Sequence, residues 1–200
     1  MNFFSRRSRA VAGITVLAVF FVVGGAATTA LAVSTAWSAP VNISAARLNA
    51  QTPRVAVDGS GRATAVWTHY DGSNSIVQVS TSLNGAAWST PVNLSTASQY
   101  AADPQVAVDG SGRATAVWDR SDGSNSIVQV STSLNGAAWS TPVDVSAAGH
   151  NAYLPQIIVD GSGLATVVWE RFDGSNEIVQ ASFSVNGAAW STPINLSTAG

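Results

Sequence analysis

The chain has 200 residues, of which 46% are hydrophobic and 10% charged, and it contains no cysteine. Its 9 basic residues are all arginines, set against 11 acidic ones. A lysine-free, acidic composition excludes nucleic acid and anionic membranes as natural partners. Without disulfides, stability must come from a packed core.

The N-terminal stretch "MNFFSRRSRA" carries Arg6, Arg7 and Arg9, and an apolar run, "AVAGITVLAVFFVVGG", follows. Ala30 and Ala32 then place small residues at the −3 and −1 positions of a cleavage site. This order reads as a secretory signal peptide over residues 1–32. The apolar run is short for a spanning helix, which needs ~20 residues. The expectation is a secreted protein, extracellular, periplasmic or at the cell surface, with no membrane attachment after cleavage. The remaining segment, 33–200, holds six arginines against all 11 acidic residues, an excess of five negative charges.

Residues 36–44 read "AWSAPVNIS", and near-copies recur at 87–95, 138–146 and 189–197. Pro53, Pro104 and Pro155 open units with a period of 51 residues. Units 53–103 and 104–154 differ at only twelve positions, and a third unit runs from 155 to 200. Segment 33–52 is then a lone outer strand and a crossover.

Each unit holds four strand signals. In the first unit they are "PRVAVDG", "RATAVWTHY", "SIVQVSTSL" and "AWSTPVNLS", labelled A to D. Period-two alternation over such short runs means strands. The turns between them are "DGSG", "DGSN" and Asn-Gly, the last being the strongest short hairpin signal. Each unit is therefore a four-stranded antiparallel meander, the form of a β-propeller blade. Pro91, Pro142 and Pro193 lie inside strand D, which must be the sheet edge because proline lacks the N–H of an interior strand. Recurring Trp67, Trp118 and Trp169, and Trp88, Trp139 and Trp190, read as packing between blades, with sugar sites between blades as the sharper alternative. The fold class is thus all-β: three complete blades plus one N-terminal strand, an incomplete ring. Such a stack would leave blade faces open to self-association.

"STSLNGAAWSTPVNLS" resembles the Asp-box hairpin of sialidase-like propellers, with Thr81, Gly85 and Trp88 in place. The motif's aspartate falls on Leu83, Leu134 and Val185, so the boxes are degenerate. The resemblance implies a sialidase-superfamily-like fold. It implies little about activity, because Asp boxes are structural.

In a propeller the A–B and C–D turns emerge at one end of the blades. The B–C turns and the D-to-A crossovers emerge at the other. Ten of the twelve differences between the first two units fall near the crossover end. The candidate ligand residues gathered there are Arg54, His69, Tyr70, Tyr100, Arg120, His150, Tyr153, Arg171 and Phe172. Rings beside hydrogen-bonding groups suit a glycan or an extracellular protein. No catalytic residue, metal or cofactor is implied. The family's arginine phrase is missing, the two histidines stand alone, and each "DGSG" turn offers one carboxylate where calcium wants several. The principal expectation is a secreted, non-catalytic binding or scaffold module. The alternative is a fragment of a sialidase-like glycoside hydrolase propeller.

Overall fold

The computed structural model describes residues 38–46, 48–97 and 99–197. The expected signal peptide and the start of the lone strand lie outside the described residues. Residues 38–46 carry no strand.

Three four-stranded antiparallel sheets follow in chain order. The first blade is β1 (Ala50–Val57), β2 (Arg62–Tyr70), β3 (Ser75–Leu83) and β4 (Val92–Asn93). The second is β5 (Ala101–Val108), β6 (Arg113–Ser121), β7 (Ser126–Leu134) and β8 (Val143–Asp144). The third is β9 (Ala152–Val159), β10 (Leu164–Phe172), β11 (Glu177–Val185) and β12 (Ile194–Asn195). The middle pair of each blade is in unbroken register, Arg62 facing Leu83 and Tyr70 facing Ser75 in the first.

Strands A and D differ from their sequence reading for a reason rooted in proline. Strand A begins three residues before its proline, at Ala50, Ala101 and Ala152. The ladder then slips, between Gln51 and Arg54 in the first blade. Proline cannot donate to the ladder, so the strand bulges around it. Thr52, Asp103 and Leu154, just before the prolines, take φ of 49°, 49° and 53°. Strand D pairs over two residues only, Asn93 with Gln78 and Val92 with Val79. Ahead of Pro91, serines replace the ladder. Ser80 Oγ donates to Ser89 O at 2.7 Å, and Ser89 Oγ accepts from Thr81 N at 3.1 Å. Beyond the strand, Ser95 Oγ accepts from Val77 N at 2.9 Å, as Ser146 and Ser197 do for Val128 and Val179. The repeated Asn-Leu-Ser and Asp-Val-Ser phrases are therefore edge-strand caps.

The turns follow their chemistry. Asp58 Oδ1 accepts from Ser60 N at 2.8 Å, Ser60 Oγ at 2.7 Å and Arg62 N at 2.9 Å. Asp109 and Asp160 repeat this cap. Asn84 and Gly85 take φ of 51° and 72°, as a two-residue hairpin turn requires. Asn84 N then bonds Gly61 O at 2.9 Å, which puts the A–B and C–D turns at the same end of the blade.

The blades pack face to face, as the first tryptophan series predicts. Trp118 is 0% exposed in a cluster with Val66, Val77, Val79 and Leu94 of the first blade. Trp169 (1%) sits among Val117, Val128, Val130 and Val145 of the second. Trp139 and Trp190 are only half buried, each packed against the rim of one of these clusters.

Candidate functional site

At the crossover end, each strand B closes against the residue entering strand A. Tyr70 N bonds Asn49 O at 2.9 Å, Ser121 N bonds Tyr100 O at 2.8 Å and Phe172 N bonds Asn151 O at 2.9 Å. The bulge lies just inside this closure. It turns the side chain at its positive-φ position toward the end of strand B, and the three blades fill that pair of positions differently. In the first blade Thr52 Oγ1 lies 3.1 Å from Thr68 Oγ1. In the third the corresponding residues are Leu154 and Glu170.

In the second blade the pair is Asp103 and Asp119. Asp119 is 4% exposed. Ser126 Oγ donates to its Oδ2 at 3.1 Å, while its Oδ1 is buried without a donor. Burial, reinforced by the adjacent Asp103 carboxylate, pushes the Asp119 carboxyl up to about 6. Asp103 is close enough for its charge to act on Asp119. A carboxyl oxygen buried without a donor favours the protonated form of Asp119. Tyr100 stands beside them, 52% exposed. Partial burial of its phenol and the Asp119 and Asp103 charges raise its pKa.

The candidate residues meet in small groups rather than one cluster. Arg120 Nη1 donates to Gln99 Oε1 at 3.4 Å and Ser121 O at 3.1 Å, and its Nη2 lies 3.5 Å from Asp144 Oδ2. The Tyr153 hydroxyl donates to Glu177, and that bond pushes the phenol up to about 12. Arg171 Nη1 donates to Ala147 O in the preceding crossover at 3.0 Å. His150 is half buried beside Gly174, and Phe172 is half buried. Tyr70 donates to Gly72 O in its own turn at 3.0 Å. His69 is 5% exposed, with Nδ1 buried and unpartnered. Arg54 stands apart, past the bulge, donating to Gln105 on the next blade at 3.2 Å.

The sequence alone does not set Asp103 against Asp119. A signal was present: Thr52 and Thr68 of one unit are both aspartate in the next. Pairing positions 16 residues apart required knowing the bulge.

No protein-family model matches the sequence, and no curated protein matches it. Solved structures do match. The chain is similar to the GH93 α-L-arabinofuranosidase of Fusarium graminearum in complex with arabinobiose, at TM-score 0.55 and 12% identity, covering 75% of this chain and 49% of that one. It is similar to the α-L-arabinanase of Penicillium chrysogenum complexed with arabinobiose, at TM-score 0.56 and 13% identity, covering 75% and 50%. A third is a PL25 ulvan lyase bound to a glucuronate–sulfated rhamnose fragment, at TM-score 0.55 and 9% identity, covering 72% and 42%. The fold is that of a β-propeller. The chain spans about half the length of these structures. Among the described residues, no helix is long and apolar enough to cross a membrane.

Proposed function

We propose that this chain is part of a secreted, carbohydrate-acting propeller that holds a glycan against its crossover end. The observation that carries this reading is the grouping on the second blade: the buried Asp119 carboxyl with Asp103 beside it, the exposed Tyr100 ring and the Arg120 guanidinium. An aromatic face, a cation and a carboxyl of raised pKa are what glycoside chemistry uses. Asp103 is the half-buried member of the pair and the one a sugar can reach. Asp119 is buried beside it, with its own carboxyl pKa raised. The likeness to arabinan-acting and ulvan-acting propellers supports this class over a bare scaffold. The degenerate Asp boxes fit a sialidase-like ancestry for the hairpins.

A glycan array with the purified chain tests the reading. Binding should occur, and Tyr100→Ala should weaken it about tenfold, since stacking on a ring carries much of sugar affinity. No bound glycan, or full binding by Tyr100→Ala, overturns it. Release of reducing sugar that is lost in Asp103→Asn would mark a hydrolase. Binding without release would mark the non-catalytic reading.

A further inference from the structure

The outer edge of the sheets carries two grooves that repeat one another at the 51-residue period. The first has Thr81, Thr90 and Asn93 of the first blade on one wall and Trp139 of the second on the other, with a volume of ≈ 570 Å³. The second has Thr132, Thr141 and Asp144 facing Trp190, with a volume of ≈ 410 Å³. Both volumes fall in the range of small-molecule sites, roughly 300–1,000 Å³.

The lining selects the occupant. No arginine or histidine lines either groove. The one carboxylate, Asp144, is engaged by Gln129 Nε2 at 2.7 Å and by Arg120 at 3.5 Å. Charge among the lining residues is thus confined to one carboxylate that is already paired. An added peptide strand is disfavoured, because Pro91 and Pro142 interrupt the edge that such a strand would need. What remains is an indole, half buried and anchored to the inter-blade cluster, opposite uncharged hydroxyls. The side chains of Thr81, Thr90, Thr132 and Thr141 make no hydrogen bond among the described residues. A ring face with hydroxyl groups around it matches the apolar face and hydroxyl rim of a neutral sugar.

We infer that the two grooves are tandem docking sites for one neutral polysaccharide chain, separate from the crossover end. Two sites on a rigid pair of blades raise the local concentration of the second sugar segment once the first is bound. A single site of modest affinity therefore suffices. This inference stands whether or not the crossover end binds glycan.

Affinity electrophoresis of the purified chain in gels containing linear arabinan, xylan or galactan tests it, with anionic ulvan as the charged control. At least one neutral polymer should retard the protein. Trp139→Ala and Trp190→Ala should each weaken retardation several-fold, and together at least tenfold. Thr90→Val with Thr141→Val removes hydroxyls at nearly constant volume and should weaken it several-fold even if the tryptophan variants unfold. Tyr100→Ala should leave it unchanged, which separates this result from failure of the crossover reading. No retardation by any neutral polymer, retardation by ulvan alone, or full retardation of the threonine pair overturns the proposal.

Discussion

Asp109 and Asp119 stand at opposite ends of the second blade, and their surroundings push their carboxyls in opposite directions. Asp109 is 5% exposed. Burial works against its charge, but hydrogen bonds from Ser111 and the Arg113 backbone outweigh it and hold the carboxyl below the usual value. Asp119 is as deeply buried, yet it has one hydroxyl donor and a second carboxylate beside it. The first aspartate repeats in all three blades and accepts from the equivalent backbone N–H groups, those of Arg62, Arg113 and Leu164. The second has no copy, its place being taken by Thr68 and Glu170. One end of the blade is built to hold, and the other is built to differ.

The core joins both ends of the blade, and its loss is the most costly. Trp118 fills the space between two blades, and Trp118→Ala should cost about 3–5 kcal/mol in urea denaturation. Tyr100→Ala, at an exposed crossover position, should cost under about 0.5 kcal/mol. Equal losses would mean that the crossover end is structural as well.

Asp119 gives the next largest effect. Its folded pKa is raised to about 6 from 3.8, so its protonated form favours the fold. Its contribution is complete below about pH 4 and is lost as pH rises through 6. Asp119→Asn should remove this loss and raise stability at pH 8 by about 2–3 kcal/mol. An unchanged pH profile would show that no proton is held there.

Asp109 has the opposite sign. Its lowered pKa contributes stability above about pH 4, lost as pH falls through the folded value. Asp109→Ala leaves three donors without their acceptor and should cost about 1–2 kcal/mol at pH 7, less at pH 3. The smallest effect belongs to the hydroxyl version of the pair. Thr52→Val should shift stability by under about 1 kcal/mol, with no pH dependence between 4 and 8.

The holding end was legible in the sequence. Its glycines, aspartates and Asn-Gly pairs act within a few residues, and their chemistry fixes the turn whatever surrounds it. The tryptophan series was legible too, because a large ring on a short apolar strand must be buried by a neighbour. The crossover end was not, because its geometry hangs on the bulge at Pro53, Pro104 and Pro155. Reading the prolines as strand starts left Thr52, Asp103 and Leu154 in a loop, so Asp103 was never set against Asp119. Strand D shows the same limit. Its alternation reads as a nine-residue strand, but Pro91 denies it the ladder and serines hold it instead.

The most direct test is a carboxyl-carbon NMR titration that follows Asp109 and Asp119 in the same sample. The account predicts an Asp119 midpoint near 6, falling when Asp103 is replaced by asparagine, and an Asp109 midpoint below 3.8. Midpoints that coincide near 3.8, with Asp119 indifferent to Asp103→Asn, would contradict it.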